Sequence, residues 1–130
     1  MSYRMREVTT SGSPAGPAQA DPRAASAVDF IRANSANPAL RLRDVAAHVG
    51  LSACYLDRVL MRDTGAGFCT HLRNARLTHA QRLLLTTHMS VKQIAFAVGY
   101  NYANELSRHF RIVHRAKPSS WRRAASMTRA

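Results

Sequence analysis

Leu42-Arg-Asp-Val-Ala-Ala-His-Val-Gly50 and Val91-Lys-Gln-Ile-Ala-Phe-Ala-Val-Gly99 are one pattern written twice, 49 positions apart. Apolar residues stand at Leu42, Val45, Ala46 and Val49, and again at Val91, Ile94, Ala95 and Val98. That spacing of three and four is one face of a helix. Each copy has a small Ala where a second helix must cross closely, and a Gly where the chain turns in a conformation that strains a Cβ. Leu51 then pairs with Tyr100. Past the turn the offset becomes 50, so that Leu56 aligns with Leu106, Arg58 with Arg108 and Leu60 with Phe110. The second turn is therefore one residue longer. A short helix, a glycine turn and a second helix with a polar start make the helix-turn-helix pattern, whose second helix enters a major groove. One copy is a weak signal, but two in register are a strong one.

Helical spacing continues outward from the repeat, and no stretch shows sustained strand alternation. A first helix is expected near Pro22 to Ala36, capped by Asp21, with Ala27, Phe30 and Ile31 inward and Asn37-Pro38 as its stop. Ser52 caps a helix to about Thr64, with Tyr55, Leu56, Val59 and Leu60 inward and Leu51 as a buried joint. A long helix spans about Gly67 to Thr86, with Phe68, Leu72, Ala75, Leu77, Ala80, Leu83 and Leu84 inward. Ser90 caps the second copy's first helix, and another helix runs from about Tyr102 to His114. Pro118 opens a last short helix holding Trp121. The expected fold is all-α: seven helices, with helix-turn-helix lobes at about 42–64 and 90–114 joined by a linking helix at about 67–86. Residues 1–21, with the Pro- and Gly-rich run Ser11–Ala18, are expected to be a flexible tail before a bilobal domain at 22–130.

Charge agrees with this pattern. The 130 residues carry 19 Lys+Arg against 7 Asp+Glu, a formal charge of +12. Arg4 and Arg6 balance Glu7 and Asp21, so all of the excess lies beyond residue 21. Such a balance calls for a polyanionic partner, nucleic acid before an anionic membrane surface. No apolar run is long enough for a membrane span, and no secretory signal opens the chain. Two cysteines, Cys54 and Cys69, do not make a disulfide scaffold, which points to a reducing cytoplasm. The histidines and cysteines lack zinc-ligand spacing, so neither metal nor cofactor is expected. The dispersed carboxylates form no catalytic constellation, and the chain is not expected to be an enzyme.

From about Pro22 to Arg123 the chain resembles the DNA-binding domain of the AraC/XylS transcription regulators. Leu42, Val45, Ala46, Gly50, Leu51, Ser52, Leu56, Arg58, Leu60 and Gly65 carry the likeness in the first half. Phe68, Leu72, Arg76, Leu77, Ala80, Leu83 and Leu84 carry it in the linking helix, and Ile94, Ala95, Val98, Gly99, Tyr100, Leu106, Arg108, Phe110 and Pro118 in the second half. The chain departs from the family where Arg115 stands for a usual Gly and Lys117 for a small polar cap. It departs again where His71 and Leu106 stand for usual aromatics. The resemblance is nearest to short single-domain members. It implies a domain that reads two major grooves, usually to activate transcription through RNA polymerase.

The resemblance also implies groove-facing positions at Ala53, Cys54, Asp57 and Arg58, and at Tyr102, Ala103, Asn104, Ser107 and Arg108. A guanidinium at Arg58 can bond guanine O6 and N7 together; its alternatives are a phosphate or Asp57. Asp57 either accepts from cytosine N4 or orients Arg58. Asn104 can pair with adenine or touch only phosphate and water. Ser52, Arg62, Arg111 and Arg115 suit phosphates, which position without specifying. Cys69 is expected to be a packing residue.

The leading expectation is a sequence-specific DNA-binding regulator that binds as a monomer. A rival is an architectural, largely nonspecific DNA-binding protein. A third reading, a DNA-repair enzyme, would need thiol chemistry at Cys54 or Cys69.

Overall fold

The computed structural model describes residues 20–129. The segment expected to be a flexible tail lies outside them, apart from Ala20 and Asp21. Among the described residues the chain forms α1 (Pro22–Asn34), α2 (Leu42–Val49), α3 (Ala53–Thr64), α4 (Phe68–Thr86), α5 (Val91–Val98), α6 (Ala103–His114) and α7 (Pro118–Arg129). Helix starts follow their caps. The Asp21 side chain accepts from the Arg23 amide, Ser52 from Tyr55 and Ser90 from Gln93. A reciprocal capping box closes the start of α5, where the Gln93 side chain accepts from the Ser90 amide. The same start falls 49 residues apart for α2 and α5 but 50 apart for α3 and α6, so the extra residue does lie in the second turn.

Two apolar cores form. The first gathers Ala27, Ile31, Val45, Leu56 and Leu60 with Phe68 and Leu72 of α4. The second gathers Ile94, Val98, Leu106 and Phe110 with Leu77, Ala80 and Leu84 of α4. One continuous helix thus supplies a wall to each lobe, and its apolar positions change face between Leu72 and Leu77. Ala46 and Ala95 are buried at the helix crossings, as the repeat requires. The two turns also match in their hydrogen bonds: Leu51 N donates to Ala46 O, and Tyr100 N to Ala95 O.

Several expectations need correction. Helix α1 ends at Asn34, two residues early, because the Ser35 and Asn37 carbonyls turn out to accept from Arg76 of α4. Tyr55 is 41% exposed, and Leu51 is only half-buried against its core. Cys69 is exposed and does not pack. Helix α7 is twelve residues long, and its Arg122 donates to Leu84 O and Thr87 O at the end of α4. Leu84 lies in the last turn of α4 and Thr87 is its C-cap, a helix end whose carbonyls lack intrahelical amides and are served here by an arginine from another element.

Candidate nucleic-acid interface

Burial of Leu56, Val59 and Leu60 fixes which way α3 faces. It leaves Cys54 and Arg58 exposed one turn apart on the outer side, followed by Met61. Ser52 is exposed at the cap, and Ala53 is half-buried against the first core. The Arg58 side chain has no ion pair or hydrogen bond among the described residues. Burial of Leu106 and Phe110 orients α6 in the same way. Asn104, Arg108 and Arg111 are exposed at successive turns, and Tyr102, at the N-cap, is 67% exposed. Ala103 and Ser107 are half-buried, with Ala103 packed on the second core. Cys54 with Asn104 and Arg58 with Arg108 are therefore equivalent outward positions, 50 residues apart, on two helices of one chain.

Two side chains assigned to DNA from sequence have protein partners in the structure. The Asp57 carboxylate accepts from the Phe68 amide at 3.0 Å, at the first turn of α4. It does not pair with Arg58 among the described residues. Its acceptor atoms satisfy one of the unpaired amides of the linking helix, and its charge suits that helix end. Gly67 leaves the carboxylate room, since an added Cβ there would come within 2.9 Å of Asp57 Oδ1. Arg62, expected at a phosphate, donates to Asp63 at 2.7 Å. That hydrogen bond is the main cause holding the Asp63 carboxyl below its ordinary pKa and the Arg62 guanidinium above its own. Asp63 also accepts from the Asp21 amide, so the cluster ties the start of α1 to the end of α3.

Arg111 and Arg115 remain exposed at the end of α6. Arg115 is the C-cap, with φ 59°, and among the described residues it alone is a non-glycine in the left-handed region. This is the position where a Gly was expected.

The helix-turn-helix domain family model matches residues 45–124, which span both turns and both outward-facing helices. The chain belongs to the AraC family of helix-turn-helix transcription regulators. It is 30% identical over 107 residues to the regulatory protein PocR of Salmonella typhimurium, a match covering 82% of this chain and 35% of PocR. The chain thus spans about a third of that relative's length. The C-terminal domain of AraT, a response regulator from Geobacillus stearothermophilus, superposes with a TM-score of 0.77 at 28% identity, covering 82% of this chain and 88% of that domain. The DNA-binding domain of the global transcriptional factor AdpA, solved with a target DNA, gives 0.77 at 27% identity, covering 84% and 97%.

Seen as an AraC-type domain, the structure brings out two cations that sequence reasoning passed over. Arg43 and Lys92 occupy the second positions of α2 and α5, 49 residues apart, and both are exposed. The first helix of a helix-turn-helix crosses the DNA backbone. The signal was present in the repeat, as a basic residue kept in both copies among apolar positions that drew more notice.

No helix among the described residues is long and apolar enough to cross a membrane.

Proposed function

We propose that this chain binds double-stranded DNA in a sequence-specific way, as a monomer, with α3 and α6 in successive major grooves. The observation that carries this reading is the pair of equivalent outward faces, Cys54/Arg58 and Asn104/Arg108, joined through one continuous helix. Arg58 and Asn104 supply the bidentate chemistry that distinguishes guanine and adenine. Arg108 adds a second guanidinium, and Cys54, Ala53, Ala103, Tyr102 and Ser107 shape the contact. Arg43, Lys92, Arg111, Arg115 and Ser52 meet phosphates and set the register. Bound upstream of a promoter, the domain activates transcription by contact with RNA polymerase, as its family resemblance implies.

Selection from a random-sequence duplex library, followed by titration at stated salt, tests this reading. A selected site should bind at least about 10³ times more tightly than unrelated duplex. A ratio near one would favour the architectural alternative. The selected site placed upstream of a promoter should then raise transcription by purified RNA polymerase. A fall would make the chain a repressor at that position.

A further inference from the structure

Arg76 stands on α4 between Leu72, which faces the first core, and Leu77, which faces the second. Its Nε donates to Ser35 O at 2.8 Å and its terminal nitrogen to Asn37 O at 3.0 Å, both just past the end of α1 in the first lobe. The same guanidinium lies 5.4 Å from the ring centre of Tyr100, in the turn of the second lobe. The Tyr100 hydroxyl is in turn hydrogen-bonded to His109 Nδ1 of α6 at 2.8 Å. One side chain therefore touches both lobes and, through Tyr100, reaches the second reading helix. Burial pulls the Arg76 guanidinium below its ordinary pKa, a cost offset by two carbonyl acceptors and an aromatic face.

The two turn glycines differ at this joint. At Gly50, φ +76°, an added Cβ would meet nothing within 4 Å. Gly50 is required by its backbone angle alone. At Gly99, φ +112°, an added Cβ would run into the Ser35 carbonyl oxygen, lie 2.8 Å from Arg76 Nε and 3.2 Å from the Ala36 carbonyl carbon. Here the backbone of the second lobe's turn lies directly on the backbone that ends α1. The repeat alone gives no reason for this difference.

We infer that the joint of Ser35, Asn37, Arg76, Gly99 and Tyr100 is a latch that fixes the angle between the lobes, and so sets the half-site spacing the chain accepts. Helix α4 alone sets the separation of the lobes but attaches each through a single element. The latch adds a second attachment away from the α4 axis, so neither lobe can rock about it. Arg76 is a positioning residue: its role is to hold α6 relative to α3. The inference rests on the DNA reading above, and its test separates the two.

Arg76→Met keeps the length of the side chain and removes its donors. Spin labels at Cys54 in α3 and at Lys92→Cys in α5, with Cys69→Ser, report the lobe-to-lobe distance in the free chain. The distance distribution should be narrow with Arg76 and clearly broader with Met. In parallel, the duplex selected by the wild-type chain is remade with one base pair added or removed between its half-sites, a rotation of about 35°. Wild-type affinity should fall by about tenfold or more, as coupling between the half-sites is lost. The Arg76→Met chain should bind the original duplex more weakly, tolerate the altered spacing within about threefold, and keep its affinity for a single half-site. A purely structural role would instead lower half-site affinity and melting temperature together. Gly99→Ala should broaden the distances in the same way if it folds; Arg76→Met decides the matter if it does not. Unchanged spacing tolerance in Arg76→Met would overturn the inference whatever the label distances show. Failure of the wild-type chain to select any sequence would sink the DNA reading and the spacing role with it, while the label distances would still decide whether Arg76 latches the lobes.

Discussion

Asp57 and Arg58 are neighbours in sequence, yet one carboxylate caps α4 while the next side chain points outward. The difference follows from helix geometry, because adjacent residues lie about 100° apart on a helix. The family resemblance implied groove positions for both, and the cap partner of Asp57, Phe68 N, is brought close only by the fold. Asp57→Ala should therefore destabilise the domain by about 1 kcal/mol, the usual cost of losing a cap, in denaturant unfolding. The selected base preference should stay the same; a change at one base pair would return Asp57 to the groove. Arg58→Ala should cost about 1–3 kcal/mol on the best site and relax preference at one base pair. Arg43→Ala and Arg111→Ala should each weaken all sequences alike and reduce the slope of log affinity against log salt by about one. A specificity change in either would contradict its assignment to the phosphates. The Arg62–Asp63 pair was not legible in the sequence, because a basic residue beside an acidic one can pair with it or turn away.

The first six helices could be placed from sequence to within about two residues, the ordinary uncertainty of helix ends. The repeat, the Ser and Asp caps and the glycine turns were local signals and sufficient for that. What was missed depended on distant partners: the early end of α1 at Arg76, and the length of α7, whose Arg122 bonds the end of α4. The end of α6 is a different case. Arg115 holds the left-handed backbone that its family fills with glycine, at a cost of roughly 1 kcal/mol for a residue with a Cβ. Arg115→Gly should raise stability by about that amount and weaken DNA binding without regard to sequence. A drop in stability would show that the side chain makes a contact worth more than the strain. Two histidines tie helix packing to pH. Burial first, and then Arg32, holds His71 below the ordinary 6.5; burial first, and then Arg108 and Arg73, does so for His109. Both therefore stay neutral in the fold where the unfolded imidazoles are already charged. The unfolded chain binds more protons, so stability is full above about pH 6.5 and falls as pH drops through that value towards the lower folded ones. Urea midpoints from pH 8 to 5.5 should fall for the wild-type chain, and fall less for a His71→Gln/His109→Gln chain. Equal slopes would remove these two residues as the cause.

At the scale of the molecule, net charge and duplication announced the partner, but the joint between the lobes was hidden. Nothing in the spacing of Arg76, Ser35 and Gly99 indicates that they meet. Only the packed chain shows that the second glycine has a neighbour and the first has none. The arrangement has one further consequence. Helix α4 has nineteen residues, so at about 1.5 Å each it is nearly 30 Å long, close to the roughly 34 Å between successive major grooves. The outward faces differ, Cys54 and Arg58 on one helix and Asn104 and Arg108 on the other, so the site should be asymmetric. Bending the DNA to meet both helices would cost on the order of 1–6 kcal/mol. The most direct test is the mass of the complex on a single selected duplex, read together with its footprint. One chain should protect one face over about 15–20 base pairs of non-palindromic sequence. An obligatory complex of two chains on an inverted repeat would contradict the account.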